Sequence, residues 1–239
     1  MVLKFRWAKL VFVLATAPTA LFPMATARAA MHLSVPRHAV GSDPTASAQV
    51  RAVANWAVRT GDNHTLPFVI VDKVAAHLFL FDGQGTLKAA SPVLVGLARG
   101  DVSPPGVGDR KLSQIVPTDR ITPAGRFVAN RGVDLGGQDI VWVDYDAAVA
   151  IHRATDVTPG ATARDRLARL ASASPQKRRI SYGCINVSDA FYDGFIRPTF
   201  SAGSAIVYIL PETAPVDALF PIAARSEPLE QPAGHSALG

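Results

Sequence analysis

The sequence predicts a mainly β fold, an antiparallel sandwich or barrel accompanied by a few short helices. Short apolar and β-branched segments recur at close spacing from residue 67 to residue 210, and turn residues such as Asp82-Gly83-Gln84-Gly85 separate them. Short strands at this spacing pair most readily with their neighbours as antiparallel hairpins. The chain of 239 residues is long enough for one well-filled core and short for two full domains.

The first 29 residues have the layout of a secretory signal peptide. Basic residues are followed by an apolar run over residues 10–24 and by small residues that provide a cleavage site after Ala29. The alternative is an uncleaved membrane anchor, but Pro18 and Pro23 interrupt the run, which is shorter than the roughly 20 residues that a spanning helix needs. We therefore expect cleavage, no membrane span in the mature protein, and export to the periplasm or cell envelope.

The charge of the mature chain argues against a nucleic-acid partner. Residues 1–29 contain four of the 24 basic residues and none of the 19 acidic ones, so the remainder has 20 basic residues and a net charge of +1. Nucleic-acid binding requires a strongly basic face, which this balance does not supply. No spacing of His, Cys and Asp resembles a zinc site, so neither a metal nor another cofactor is expected.

The elements are predicted in chain order. A lead-in over residues 30–66 carries a short amphipathic helix at 48–59, where apolar residues recur at helical spacing. The main β domain extends over residues 67–211, and the chain then loses periodicity, which predicts a flexible tail over 212–239. Apolar runs within the domain predict strands at 67–71, 77–81, 92–95, 125–129, 140–143, 149–151 and 204–210.

Two helices and one long loop interrupt these strands. Residues 161–173 hold Leu and Ala at helical spacing, and residues 189–196 form a second helix with Ser188 as its N-cap. The segment 96–125 is rich in Gly and Pro and is too long for a simple connection. A loop of this length predicts a lid or a binding lip.

The single cysteine, Cys184, is the most informative residue of the chain. Structural cysteines of exported proteins occur in pairs, so this one is a reactive thiol, an intermolecular bridge or a small buried hydrophobe. Gly183 allows a sharp turn before it, so that the backbone N–H groups of Gly183 and Cys184 can face an oxyanion. A thiolate nucleophile also needs a base, and His152, at the end of a predicted strand, is the best candidate.

His152 and the segment Ser181-Tyr182-Gly183-Cys184-Ile185-Asn186 together resemble the signature of the L,D-transpeptidase catalytic-domain (YkuD-type) family. That signature is a histidine followed at a distance by Ser/Thr-His-Gly-Cys, an apolar residue, and Asn or Arg. The resemblance covers about residues 67–211, and four upstream segments follow the family in order: Ile70-Val71-Asp72-Lys73, Leu78-Phe79-Leu80-Phe81, Val93-Leu94-Val95-Gly96 and Thr122-Pro123-Ala124-Gly125-Arg126-Phe127.

The resemblance implies the fold of that family and a cysteine-dependent acyl transfer on the stem peptides of peptidoglycan. Cys184 is then the nucleophile and His152 the base. Ser181, Tyr182 and Gly183 are expected to line the pocket or the oxyanion site, and Asn186 is expected to order the loop through its amide.

Two features depart from the family pattern. Tyr182 stands where the family has histidine, and the 28 residues between His152 and Ser181 exceed the family spacing. The spacing is easily absorbed, because loop length adds little entropy and the predicted helix at 161–173 occupies it. Tyrosine can donate a hydrogen bond but does not exchange a proton near neutral pH. We expect a tuned or narrowed enzyme, since nucleophile and base are both retained.

Three alternatives stay open at this point. Water instead of an amine could resolve the acyl-enzyme, which would make the protein a hydrolase on the same scaffold. The domain could also be a non-catalytic peptidoglycan-binding module, with Tyr182 marking lost activity. The basic run Lys177-Arg178-Arg179 is either solvated or close enough to lower the thiol pKa, and Arg178 and Arg179 could then meet a substrate carboxylate.

Overall fold

The protein is known from a computed structural model that describes residues 43–156 and 161–222. The predicted signal peptide, the first part of the lead-in and the last part of the predicted tail lie outside the described residues. Within the described ranges, no helix is long and apolar enough to cross a membrane.

The described chain is mainly β, as predicted. Its strands are β1 Phe68–Asp72, β2 His77–Phe81, β3 Leu87–Pro92, β4 Val95–Gly96, β5 Gly125–Val133, β6 Asp139–Asp144, β7 Val149–Arg153, β8 Arg179–Ser181, β9 Ile185–Val187 and β10 Ala205–Ile209. Its helices are α1 Ala48–Thr60, α2 Ala161–Leu170, α3 Asp189–Phe191 and α4 Arg197–Ser201, with a π-helical turn at Tyr192–Ile196 between the last two. The predicted cap of α3 is confirmed, because the Ser188 hydroxyl accepts a hydrogen bond from the Phe191 N–H at 3.2 Å.

Eight strands form one mixed sheet in the order β3-β2-β1-β10-β5-β6-β7-β9. The pairs β1–β10 and β7–β9 are parallel and the other five are antiparallel. A bridge between Leu94 and Asn186 joins the chain just after β3 to β9, with N···O distances of 2.8 and 2.9 Å. The two ends of the sheet are therefore linked, and the fold is a nearly closed barrel, as its antiparallel pattern predicts.

The central strands are buried on both faces, which explains their continuous apolar runs. Val69 and Val71 of β1 point into the interior of the barrel, whereas Phe68 and Ile70 point outward and pack beneath α1. Helix α1 is capped by Ser47, and Gly61 ends it in the left-handed conformation with φ of 72°. The outward cluster contains Val50, Val53 and Trp56 of α1, which makes this helix part of the fold.

Two expectations about the strands need correction. The strand predicted at 92–95 overlaps only the last residue of β3, Pro92, and the first residue of β4, Val95. The strand over 87–92 was missed because it has few apolar residues and lies at the edge of the sheet. The strands β8 and β9 were not predicted, since each has three residues. Apart from Gly96, the last residue of β4, the segment 96–125 contains short 3₁₀ turns and no strand before Gly125, as expected of a long binding lip.

The packed chain continues beyond residue 212, where the flexible tail was expected to begin. Val216 and Phe220 are buried in the outward cluster. The Phe220 ring lies 6.0 Å from that of Trp56 and 5.8 Å from that of Tyr208, centroid to centroid. A few apolar anchors hold this segment, and they repeat too rarely to produce a periodic pattern.

A buried lysine fixes both ends of the segment 96–125. The Lys73 ammonium donates hydrogen bonds to the carbonyls of Gly100 and Thr122, and it forms an ion pair with Asp101 at 2.9 Å. Asp101 in turn accepts a hydrogen bond from the Glu212 N–H at 2.8 Å. The lip and the chain after β10 are therefore joined at one buried charge cluster.

Candidate active site

Cys184 lies in a tight turn between β8 and β9 that only glycine can precede. Gly183 has a φ of 135°, in the region that L side chains rarely adopt. A Cβ atom at this position would also lie 2.8 Å from the carbonyl oxygen of Ile121. The backbone before the cysteine is therefore pressed against the segment 96–125, which fixes the direction of the turn.

Two hydroxyl groups clamp this turn. The Ser181 hydroxyl donates to the Cys184 carbonyl at 2.6 Å and accepts from the Gly183 N–H at 3.2 Å. The buried Thr122 hydroxyl donates to the Gly183 carbonyl at 2.7 Å and accepts from the Gly96 N–H at 2.8 Å. Ser181 was among the predicted site residues and Thr122 was not.

One of the two predicted oxyanion donors is free for a ligand. The Cys184 N–H has no acceptor among the described residues. The Gly183 N–H is engaged by the Ser181 hydroxyl, although 3.2 Å is long for an N–H to oxygen bond. Cys184 therefore supplies the better placed donor of the pair.

His152 is brought to the turn by the parallel pairing of β7 with β9, in which it lies opposite Asn186. Its Nδ1 lies 2.9 Å from the carbonyl oxygen of Arg153. A carbonyl only accepts hydrogen bonds, so Nδ1 carries the proton of the neutral ring and Nε2 holds the lone pair. The Asn186 Nδ2 donates to this lone pair at 2.7 Å.

Cys184 is partly exposed as a residue, and its thiol is electrostatically activated. At rest it donates to the carbonyl oxygen of Ala148 at an S···O distance of 3.6 Å. Burial alone raises the pKa of the Cys184 thiol, but the hydrogen bond to His152 and the charge that His152 carries when protonated outweigh this effect, with help from the Ala150 backbone and the charge of Arg166. The net result is a pKa below the ordinary value, which is the condition for a reactive cysteine.

Asn186 is fixed from behind by an arginine of α2. The amide of Asn186 is fully buried, and its Oδ1 accepts a hydrogen bond from the Arg166 guanidinium. Arginine only donates, so Oδ1 must face Arg166 and Nδ2 must face His152. Asn186 was predicted to order the loop, and its amide also contacts the candidate base.

Two cavities meet at the pair Cys184 and His152. One has a volume of about 380 Å³ and the other about 370 Å³. Besides the pair, the first is lined by Asp134, Gly136, Ile140, Trp142, Ala148, Ala150 and Asp156. The second is lined by Leu112, Thr162, Arg166, Ser181, Tyr182 and Asn186. The nucleophile is therefore accessible from two sides that differ in charge.

Tyr182 lies at the rim of the second cavity, with 38% of its surface exposed. The Arg120 guanidinium carbon stands 4.0 Å from the centroid of the Tyr182 ring. Arg120 and Leu112 both belong to the segment 96–125, so this lip forms one wall of the cavity.

Arg178 and Arg179 are engaged in internal contacts. Arg178 is buried and donates to the Ala75 carbonyl at 2.9 Å. Arg179 forms an ion pair with the buried carboxylate of Glu212 at 2.8 Å and donates to the Ala98 carbonyl at 2.7 Å. Neither side chain lines a cavity that contains Cys184. The carboxylate that Arg179 binds belongs to the protein itself.

No cluster that could hold a metal ion, with three or more His, Cys, Asp or Glu side chains, occurs in the described part of the chain.

No model of a protein family matches this chain, and no curated protein matches it. Among solved structures it is similar to the LD transpeptidase LdtMt1 in complex with imipenem, with 17% identity, a TM-score of 0.35, and coverage of 60% of this chain and 58% of that one. The L,D-transpeptidase from Mycobacterium smegmatis has 14% identity and a TM-score of 0.33, with coverage of 60% of this chain and 58% of that one. The catalytic domain of the E. faecium L,D-transpeptidase has 18% identity and a TM-score of 0.34, with coverage of 61% of this chain and 98% of that one. The chain thus spans less than two thirds of the first two structures.

Proposed function

We propose that this chain is a cysteine acyltransferase of the L,D-transpeptidase type that acts on the stem peptides of peptidoglycan. The observation that supports this best is the activated thiol of Cys184 beside an oriented His152, at the meeting point of two cavities. The motif around Cys184 supports the choice of substrate. Export to the cell envelope, proposed from the N-terminal residues, would bring the protein to that substrate.

In the first half-reaction the Cys184 sulfur attacks the carbonyl carbon between an L-configured centre of a stem peptide and its terminal D-residue. The Asn186 amide releases Nε2 of His152 and the thiol proton moves to this atom, since Nδ1 already carries a proton. A C–S bond forms and the carbonyl π electrons move to oxygen, where the free N–H of Cys184 stabilises the negative charge. Collapse of this intermediate breaks the C–N bond, and the imidazolium protonates the leaving amine. A thioester on Cys184 remains.

In the second half-reaction an amine of a neighbouring stem peptide resolves the thioester. The amine loses a proton to His152 Nε2 as its nitrogen attacks the thioester carbon. A new C–N bond forms, and the C–S bond breaks to return the thiolate. The first cavity suits this acceptor, because Asp134 and Asp156 line it and carboxylates attract an amine-bearing group. An approach from two sides allows the acyl chain and the acceptor to be bound together.

The proposal is tested by incubating the purified full chain with tetrapeptide-bearing muropeptides and measuring its intact mass. The expected result is a thioester adduct on the wild type, none on Cys184→Ala, and cross-linked dimers among the products. His152→Gln, which keeps a neutral polar side chain, should retain the fold and lose most of the adduct. An adduct that persists in Cys184→Ala would contradict the assignment.

The same experiment separates the two alternatives. Trimmed monomers without dimers would identify a hydrolase, in which water takes the place of the acceptor amine. A wild type that forms no adduct and whose Cys184 resists alkylation at neutral pH would identify a non-catalytic binding module. The lowered thiol pKa of Cys184 argues against this last outcome.

A further inference from the structure

Arg166 is a buried cation to which the described part of the chain offers no carboxylate. Only 7% of its surface is exposed, and it forms no ion pair within the described residues. The nearest acid along the helix, Asp165, pairs with Arg169 at 2.8 Å. Burying a charge without an opposite partner costs free energy, so this arrangement needs an explanation beyond packing.

The guanidinium of Arg166 connects α2 to the residues around His152. Its Nε donates to the Ala154 carbonyl at 2.9 Å, two residues beyond His152 on the same chain segment. Its Nη2 donates to Oδ1 of Asn186, whose Nδ2 donates to His152 Nε2 at 2.7 Å. The planar fork of an arginine fits these two acceptors at once.

This chain of contacts determines which tautomer of His152 is present at rest. With Nδ1–H directed at a backbone carbonyl and the Asn186 amide donating to Nε2, the lone pair of the neutral ring is on Nε2. A proton on Nε2 would face the amide hydrogens of Asn186, so the amide must release Nε2 before this atom can take the thiol proton. A second cation beside Cys184 would stabilise the thiolate in addition to the imidazolium that this transfer forms.

Arg166 is in the right place to provide that charge. It lines the same cavity as Cys184 and His152, and no carboxylate lines that cavity. The acids that face the pair, Asp134 and Asp156, line the other cavity. The remaining titratable side chain of the Arg166 cavity is Tyr182 at the rim, with the Arg120 cation stacked on it.

We propose that Arg166 is a positioning residue of the active site, which orients the Asn186 amide against His152 and provides the counter-charge of the Cys184 thiolate. This inference rests on the proposed function, because it assigns a role toward its nucleophile and base. It also explains the long spacing between His152 and Ser181, because this spacing contains α2 and α2 carries Arg166.

The test compares Arg166→Gln, Arg166→Lys and Arg164→Gln in the full chain. Glutamine keeps a hydrogen-bonding side chain without the charge, lysine keeps the charge, and Arg164 is an exposed arginine of the same helix. The readout is the rate at which iodoacetamide alkylates Cys184 as a function of pH, followed by intact mass. At pH 7 we expect Arg166→Gln to react about tenfold more slowly, a typical effect of removing one nearby opposite charge. Its profile should shift to higher pH, while Arg166→Lys recovers most of the rate and Arg164→Gln matches the wild type.

A folded Arg166→Gln with the wild-type alkylation profile would overturn the inference. If that variant does not fold, nitrogen-15 NMR of the wild-type His152 ring decides. A neutral ring with its proton on Nδ1 supports the inference, and a proton on Nε2 overturns it. Failure of the proposed function is distinguishable: a shifted profile without any muropeptide adduct would leave the role of Arg166 intact. An adduct on the wild type with an unshifted Arg166→Gln profile would remove that role alone.

Discussion

The Asn186 Nδ2 lies 2.7 Å from Nε2 of His152, across the parallel pair β7–β9. The residue two positions after the candidate nucleophile thus touches the candidate base directly. The His152 ring is held on its other side by the Arg153 carbonyl, so both ring nitrogens have a defined partner. The pair His152 and Asn186 therefore determines which nitrogen can receive a proton.

The first prediction replaces this amide donor by an acceptor, in the variant Asn186→Asp. The new carboxylate would face His152 Nε2 and would accept a hydrogen bond from a proton on that atom, in place of the amide that now donates to it. The same negative charge opposes the Cys184 thiolate, so alkylation at neutral pH should slow. Nitrogen-15 NMR of the His152 ring and alkylation by iodoacetamide measure both effects, and Asn55→Asp on the exposed face of α1 controls for the added charge. An Nε2 atom that carries no proton in Asn186→Asp would contradict the contact.

The second prediction concerns Tyr182, where the family signature that the sequence resembles has histidine. Tyr182 lies at the cavity rim and stacks with Arg120, an exposed contact worth about 0.5–1 kcal/mol. Tyr182→His should therefore change kcat for thioester formation about fivefold at most. Tyr182→Ala removes part of the cavity wall and should raise KM more than it lowers kcat, whereas Tyr182→Phe keeps the ring and should resemble the wild type. A collapse of kcat in Tyr182→Phe would show that the hydroxyl takes part in the reaction.

Local sequence patterns predict the central strands well, and they miss elements that depend on distant partners. The runs at β1, β2 and β10 stand out because both of their faces are buried. The three-residue strands β8 and β9 exist through pairing with β4 and β7, which are far away in the chain. No local periodicity can record such a pairing.

The same limit applies to the candidate site. Cys184 and His152 stand out because a lone thiol and a strand-end histidine carry recognisable chemistry. Thr122 and Arg166 reach the turn only through tertiary contacts. Arg166 also lies between Arg164 and Arg169 on one helix, and nothing in the residue types distinguishes the buried arginine from its exposed or half-exposed neighbours.

The third prediction tests the clamp on the nucleophile turn through Thr122→Val. Valine has nearly the same shape, but it leaves the buried Gly96 N–H and the Gly183 carbonyl without the threonine hydroxyl. Each unsatisfied buried group costs about 1–3 kcal/mol, so the free energy of unfolding should fall by at least this amount. Thioester formation should also slow, because the turn loses one of its two hydroxyl clamps. Thr122→Ser retains the hydroxyl and should recover most of both properties. Chemical denaturation and adduct formation measure the two effects.

The fourth prediction concerns acid and the cluster that anchors the lip. Burial alone raises the pKa of Asp101, but hydrogen bonds from Thr213, Lys73 and the Glu212 backbone hold it well below its usual value of 3.8. The unfolded chain therefore takes up this proton more readily than the folded one, and acid favours unfolding. The contribution of Asp101 to stability is fully present above the unfolded pKa and is lost as the pH falls through the lower folded value.

Asp101→Asn should remove this contribution at every pH. It breaks a buried ion pair with Lys73, so the free energy of unfolding at pH 7 should fall by about 3 kcal/mol. The difference in the free energy of unfolding between the variant and the wild type should shrink as the pH falls below about 4. The wild type then loses the stabilisation by the ionised Asp101, which the variant lacks at every pH. Urea denaturation at several pH values measures this, with Asp217→Asn, an exposed acid of the same C-terminal segment, as the control. A difference that stays constant from pH 7 down to acid would show that the charge of Asp101 contributes nothing to holding the lip.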